Sequence, residues 1–234
     1  AIRVRQVRKT FRINTAGATS LKEAVLKGLV TRTETRLLEA LKCVDFELPR
    51  GRCLAIVGGN GSGKSTLLKI LTGVSQPDSG TAQIHGRVAA LLELGAGFHP
   101  ELTGMENIFL QGSILGLSRE EIIDRLDTIL DFCELGKFIH TPMKAYSSGM
   151  KIRLGFALAV YCDADTIIVD EVLAVGDAAF EEKCLRRIRQ LQAEGKTIVV
   201  VSHMIHQVED LADDVLWIEQ GQQLAFGPLE EVLP

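Results

Sequence analysis

The sequence lacks the features of a secreted, membrane-spanning or strongly charged protein. Its five cysteines form no CxxC pair and mostly lie in apolar runs, which favours reduced core residues over disulfides or a metal site. The most apolar run, 154–162, has less than half of the length needed to span a bilayer. Residues 1–12 alternate basic and apolar side chains, unlike a secretory signal. A net charge of −4 gives no reason to expect a nucleic acid partner.

What is present is the composition of a globular α/β domain, with 46% hydrophobic residues and 22 glycines in 234 residues. Three continuous apolar runs, Cys53–Val57, Thr166–Val169 and Thr197–Val201, are typical of strands covered on both faces. A helix at Ala178–Ala193 separates the last two. The sequence therefore predicts an α/β fold with a mainly parallel sheet.

Other segments surround this predicted sheet. Capping-box patterns at Ser20–Glu23 and Ser118–Glu121 predict a short basic helix and a second, longer helix. We expect one unit over 1–234, in which 1–100 and 149–234 form the core and β subdomain and 101–148 form an inserted, mostly helical lobe. The remaining predicted elements are strands at Ile2–Ile13 and Val44–Leu48, a helix at Lys151–Tyr161, and an edge hairpin of Val215–Glu219 and Gln222–Phe226.

A glycine-rich segment between a buried strand and a helix matches the pattern GxxxxGK[ST]. Its backbone N–H groups and the helix N-terminus suit phosphates, Lys64 would reach the β and γ phosphates, and Ser65 would bind Mg²⁺. The alternative is a glycine-rich turn that binds nothing. The predicted ATP-binding residues here are Gly58, Gly59, Asn60, Gly61, Ser62, Gly63, Lys64, Ser65 and Thr66.

A pair of carboxylates, Asp170 and Glu171, ends the apolar strand that begins at Thr166. The carboxyl ends of parallel strands form the edge of a sheet where ligands bind. We expect Asp170 to hold the magnesium ion and Glu171 to act as general base on the attacking water. The alternative is that these acids only mark the end of a strand. A P-loop with this pair also occurs in kinases that phosphorylate small molecules.

The segment Tyr146–Met150 helps to distinguish between the kinds of P-loop enzyme. It precedes a predicted helix, and small residues at a helix N-terminus can form an anion site. This site lies too far along the chain to serve the same P-loop, so Ser147, Ser148 and Gly149 should face a nucleotide held by another copy. We therefore expect a homodimer. The alternative is an ordinary helix start, because a serine followed by a glycine is common there. With its order of motifs, the segment resembles the LSGGQ signature of ATP-binding cassette (ABC) proteins.

The resemblance to ABC transporter ATPases covers the whole chain and implies further roles. The fold would be a P-loop NTPase (RecA-like) core with an antiparallel β subdomain and an inserted helical subdomain. Asp177 stands at the D-loop, His203 at the switch histidine that contacts the γ phosphate, and Phe11 at the aromatic residue that stacks on adenine. The alternatives are that His203 is a structural residue and that Phe11 is a core residue.

Three positions depart from the family pattern. The usual glutamine between core and lobe is absent, and Glu93 is the nearest candidate for its contact with magnesium. Ser148 replaces a glycine and Met150 a glutamine of the signature, although the backbone donors remain.

Within the family the chain resembles ATPases that export cell-surface polysaccharides, such as O-antigens and teichoic acids. The resemblance rests on the basic insertion around Ser20–Glu23, the segment 91–104, the Tyr-Ser-Ser-Gly-Met signature and the segment 169–177. The resemblance implies ATP and Mg²⁺ as cofactors and a separate integral membrane permease, for which we expect Phe98–Phe109 to be the docking surface; the alternative for this segment is ordinary packing within the helical lobe. It also implies a lipid-linked polysaccharide cargo and a place on the cytoplasmic face of the inner membrane. The alternatives are a soluble ATP-dependent clamp and a small-molecule kinase.

Overall fold

Two β-sheets and a set of helices make up the described part of the chain. The structure is a computed structural model and describes residues 1–15, 34–91, 97–170, 178–202 and 209–232. Its strands are β1 (Ile2–Thr15), β2 (Glu34–Leu48), β3 (Cys53–Val57), β4 (Ser79–Ile84), β5 (Val88–Leu91), β6 (Thr166–Asp170), β7 (Thr197–Ser202), β8 (Asp214–Glu219) and β9 (Gln222–Pro228).

Helices connect these strands and form most of 101–161. The α-helices are α1 (Lys64–Leu71), α2 (Gly104–Ile114), α3 (Arg119–Cys133), α4 (Ser148–Tyr161), α5 (Ala178–Ala193) and α6 (Leu229–Val232). Two 3₁₀ helices, Gly136–His140 and Met143–Ala145, lie between α3 and α4. None of the helices in the described residues is both long enough and apolar enough to cross a membrane.

The larger sheet has the strand order β5-β6-β7-β3-β8-β9, in which all neighbouring strands are parallel except β8 and β9. All five residues of β3 are buried, as its apolar run predicts. The parallel arrangement brings the carboxyl ends of β3, β6 and β7 to one edge, because Val57 lies opposite Ser202 and Asp170 lies opposite Val201.

The smaller sheet is antiparallel and has the order β2-β1-β4. Its apolar face packs with α1 on one face of the larger sheet, where Val4, Phe46, Leu54 and Leu67 belong to one buried cluster. On the other face of the larger sheet, a second cluster joins β3 and β6 to α2, α3, α4 and α5. The larger sheet therefore has a hydrophobic core on each side.

The helices of 104–161 have clear start signals. Thr103 and Ser118 each cap a helix, and each forms a capping box with the glutamate three residues later. The ring centroid of Phe132 in α3 lies 5.9 Å from that of Phe156 and 5.7 Å from that of Phe180. Aromatic packing therefore joins α3 to α4 and α5. The division of the chain into a core and a lobe at 101–148 stays a prediction.

A carboxylate at the end of α3 joins the same three helices. Glu134 accepts hydrogen bonds from Lys183 at 2.6 Å and from Arg153 at 3.0 Å. These bonds, the one from Lys183 first, hold the pKa of Glu134 below its usual range. The cluster fixes α3 relative to α4 and α5.

Several predicted bounds are confirmed and others are wrong. The strand Cys53–Val57 and the helix Ala178–Ala193 have the predicted bounds. The second strand begins at Glu34 rather than Val44, because its polar first part pairs with the end of β1. The helix predicted from Lys151 begins at Ser148. The helix predicted to open at Ser20–Glu23 lies outside the described residues.

Candidate functional site

The glycine-rich segment forms a tight loop between β3 and α1. Gly63, the residue before α1, has a φ of +110°, which favours glycine. A Cβ at this position would lie 2.5 Å from the carbonyl oxygen of Ala40 and 2.9 Å from Leu41 Cδ2. Glycine therefore allows the start of α1 to lie directly against β2.

The side chain of Lys64 closes this loop. Its Nζ donates hydrogen bonds to the carbonyl oxygens of Gly58 at 2.8 Å and Gly59 at 3.0 Å, and the residue is only 6% exposed. Ser62 is buried beside it, and its Oγ has no hydrogen-bond partner among the described residues. A buried ammonium group thus lies at the N-terminus of α1, where backbone N–H groups favour anions.

The turn between β8 and β9 supports the loop from behind. The N–H of Gly221 donates to the carbonyl of Ser62 at 2.8 Å, and the N–H of Lys42 donates to the carbonyl of Gly221 at 2.7 Å. Glu219 accepts a longer bond of 3.4 Å from the N–H of Gly59. The loop is therefore held between β2 and the β8–β9 turn.

A cleft of about 790 Å³ runs from this loop along the β1–β2 strands. Phe11 lines it and is 41% exposed, so the interpretation of Phe11 as a core residue is wrong. The described lining residues are Phe11, Arg36, Leu37, Leu38, Glu39, Ala40, Lys42, Asn60, Gly61, Ser62, Gly63, Lys64, Ser65, Thr66 and Gln220. Sequence motifs gave no signal for Lys42 or Gln220, which β2 and the β8–β9 turn bring to the cleft.

The carboxyl end of β6 places Asp170 at the same edge of the sheet as the glycine-rich loop, with β7 between them. Asp170 is half-buried. Glu171 and His203 directly follow the described ends of β6 and β7. Both residues, together with Glu93 and Asp177, lie outside the described residues.

The signature segment is the N-terminal turn of α4. Ser147 caps this helix, and its Oγ accepts a hydrogen bond of 3.2 Å from the N–H of Met150. Ser147 and Ser148 are exposed, and neither they nor Gly149 are among the described residues that line the cleft. Tyr146 anchors the turn, because its buried hydroxyl donates to the carbonyl of Phe138 at 2.7 Å. Burial raises the pKa of Tyr146 to about 12.

A family model described as ABC transporter matches residues 41–174, which is more than half of the chain. The chain belongs to the ABC transporter family. The match starts in β2 and includes the glycine-rich loop, the signature segment and Asp170. The family predicted from the motifs is confirmed.

Curated relatives of this ABC protein include ATP-binding proteins named for O-antigen export and for teichoic acid export. The O-antigen export system ATP-binding protein RfbB of Myxococcus xanthus is 45% identical over 99% of this chain and 54% of that protein. RfbB of Klebsiella pneumoniae is 46% identical over 83% of this chain and 79% of that protein. The teichoic acids export ATP-binding protein TagH of Staphylococcus epidermidis is 38% identical over 100% of this chain and 87% of that protein. The chain therefore spans about half of the Myxococcus relative.

Solved structures show the same fold. The dimeric structure of a post-hydrolysis state of an ATP-binding cassette, bound to ADP and Pi, superposes with a TM-score of 0.79 at 23% identity. The superposition covers 98% of this chain and 99% of that one. The predicted α/β cassette fold is confirmed.

Proposed function

We propose that this ABC protein is the ATP-hydrolysing subunit of a transporter that exports a cell-surface polysaccharide or a similar lipid-linked glycan. The observation that carries the proposal is the cleft, which has the buried ammonium of Lys64 at one end and the exposed ring of Phe11 at its side. A cation at a helix N-terminus suits phosphates, and an aromatic face suits a flat base. The relatives named for O-antigen and teichoic acid export support the cargo class.

The residues of the cleft fit a nucleotide and its metal ion. We assign the β and γ phosphates to Lys64 and to the backbone of 58–66, and stacking on adenine to Phe11. Ser65 lies in the cleft and Asp170 at the same sheet edge, and with Glu93 they would hold Mg²⁺. Mg²⁺ in such sites is bound mainly by phosphates and water, with one or two carboxylates. When bound, it would neutralise charge on the phosphates.

Hydrolysis needs a base and a group that contacts the γ phosphate. Glu171 follows Asp170 at the carboxyl edge of β6 and would take a proton from the attacking water. His203 follows Ser202, the last residue of β7, in the sequence and would contact the γ phosphate. Both assignments rest on the family motifs and on the strand ends Asp170 and Ser202, which lie at one edge of the sheet.

We propose that two copies complete each site. The exposed N-terminus of α4, with Ser147, Ser148 and Gly149, would bind the γ phosphate of a nucleotide held by the partner copy. Asp177 would lie at the same interface. ATP would then close the dimer, and hydrolysis would reopen it.

A membrane permease would dock on the helical segment after Phe98. Leu110 and Ile114 lie one turn apart on α2 and are 38% and 67% exposed. They extend the predicted docking surface of 98–109 by an apolar stripe. The permease would hold the subunit at the cytoplasmic face of the inner membrane.

The dimer is tested by the molecular mass of the Glu171→Gln variant with and without ATP. We expect a doubled mass only with ATP, because the variant should bind ATP without splitting it. The double variant Glu171→Gln, Lys64→Ala serves as the control and should stay monomeric. A single variant that is monomeric under both conditions would contradict the shared site.

The transport role needs a separate test. We expect the subunit to fractionate with membranes when a permease is co-expressed, and exposed Ile114→Asp to reduce this recovery. Asp124→Ala, an exposed change on α3, is the control. Free phosphate release that responds to DNA, without membrane recovery, would favour a clamp instead.

A further inference from the structure

The long β1–β2 pair extends beyond the smaller sheet as a two-stranded ribbon. Pairing of β1 with β4 ends at Arg8 in the described residues, whereas β1 continues to pair with β2 from Lys9 to Thr15. Two strands alone are marginally stable in water. The ribbon nevertheless exposes large apolar side chains, including Phe11 at 41% and Leu38 at 48%.

One face of this ribbon carries both an aromatic ring and a cation. Phe11 lies opposite Leu38, and Ile13 lies opposite Arg36. Residues that face each other across an antiparallel pair share a face, as do residues two apart on one strand. Arg36 is therefore on the face of Phe11, and both line the cleft. Arg12 lies between Phe11 and Ile13 and so projects from the opposite face.

The position of Arg36 along the ribbon separates it from the phosphate loop. The loop meets β2 at Ala40, against which Gly63 packs. Leu38 is two residues further out and Arg36 four residues, so Arg36 lies roughly 13 Å from Ala40 along the strand. Arg36 thus lines the cleft well away from the point where the loop meets β2.

We propose that Arg36 is a nucleotide-binding residue that contacts the base of the bound nucleotide beside Phe11. This inference rests on the proposed ATP site. A guanidinium group is planar, donates five N–H bonds and stacks on aromatic faces. A purine offers both a flat face and ring nitrogens that accept hydrogen bonds. Because Phe11 and Leu38 are apolar, Arg36 supplies hydrogen-bond donors to this end of the cleft.

The test compares a nucleotide with a ligand that has phosphates but no base. Isothermal titration calorimetry measures the affinity of the wild-type chain, Arg36→Ala and Arg12→Ala for ADP and for inorganic tripolyphosphate. We expect Arg36→Ala to weaken ADP binding by about tenfold and to leave tripolyphosphate binding unchanged. Arg12→Ala, the matched change on the other face of the ribbon, should match the wild type for both ligands.

The possible outcomes separate this inference from the proposed function. A wild-type chain that binds neither ligand would overturn the ATP site itself. Wild-type ADP binding that Arg36→Ala leaves unchanged would overturn only the role of Arg36. Equal weakening of ADP and tripolyphosphate, or equal weakening by both arginine variants, would also overturn it, because either result would indicate a general effect of charge. Circular dichroism and thermal unfolding establish that each variant is folded.

Discussion

Lys64 donates a hydrogen bond of 2.8 Å to the carbonyl oxygen of Gly58, six residues earlier in the same loop. The lysine thereby joins the end of β3 to the start of α1 and stays buried at the head of the cleft. Since an ammonium group has three donors, it can keep bonds to the loop while it binds a phosphate oxygen. The loop is thus shaped by the same side chain that is proposed to bind ATP.

We expect replacement of Lys64 to lower the ATP hydrolysis rate much more strongly than it lowers thermal stability. We expect Lys64→Ala to lower the ATP hydrolysis rate by at least about 100-fold, because a positive charge at the transferred phosphate is lost. Phosphate release and thermal unfolding measure the two effects. Lys69→Ala, an exposed lysine on the same helix, should keep its activity. A comparable loss in Lys69→Ala would contradict a specific role of Lys64.

The contact of Gly63 with β2 predicts a difference between two glycines of the loop. Gly63→Ala should lower the free energy of unfolding by about 3 kcal/mol for two reasons. The new Cβ would clash with the Ala40 carbonyl, and alanine would be strained at the positive φ of this position. Gly61 has a φ of +76°, but a Cβ added there would meet no atom within 4 Å, so Gly61→Ala should cost only about 1 kcal/mol. Urea denaturation measures both, and equal losses would argue against the close contact.

The exposed and the buried cysteines should react with thiol reagents at very different rates. Cys43 is exposed, and the other four are buried. Burial raises the pKa of Cys53 and of Cys184 to about 12, so at pH 8 only roughly one part in ten thousand of each is the reactive thiolate. We expect one fast-reacting thiol in the folded chain and five in urea, measured with a colorimetric thiol reagent. Cys43→Ser should remove the fast reaction, and a remaining fast thiol would show that the core opens.

The Glu134 cluster predicts a pH-dependent contribution to stability. Because the folded pKa of Glu134 is lowered, its contribution is present above the usual glutamate pKa of about 4.3 and is lost as the pH falls through the folded value. Glu134→Gln should lower the free energy of unfolding by about 1 kcal/mol at pH 7, a small amount since the carboxylate is half-exposed.

This difference from the wild type should shrink below about pH 4. Urea denaturation at several pH values measures it. The control is Glu182→Gln, which removes an exposed pair with Arg186 and should change stability by less than about 0.5 kcal/mol. A Glu134→Gln difference that grows on acidification would contradict the ion-pair explanation.

Elements with a strong local signal are predictable from the sequence. The strand Cys53–Val57 is a continuous apolar run that ends at a glycine, and the helix after Ser118 has its capping box. By contrast, β4 is mostly exposed and is held by pairing with β1, which no local pattern shows. The pair Thr103 and Glu106 is a capping-box signal for α2, but hydrophobic periodicity alone gives 101–148 only as a mostly helical lobe.

The candidate site is predictable only in part. Motif spacing places Lys64 after β3 and Asp170 at the end of β6, and the parallel sheet brings them to one edge. The cleft also depends on contacts between distant segments. Ala40 and Gly221 approach the loop from residues far away in the sequence, so no motif around the loop could have indicated them.

The hydrogen bond from the N–H of Gly221 to the carbonyl of Ser62 makes the glycine-rich loop depend on a segment outside the motifs. The stretch that the family model recognises stops at 174, whereas the turn that holds the glycine-rich loop comes more than forty residues later. A fragment cut at 174 would contain the whole glycine-rich loop and the signature, yet it would leave the loop without its rear support. Recognition by motif and competence to bind a nucleotide therefore depend on different lengths of the chain.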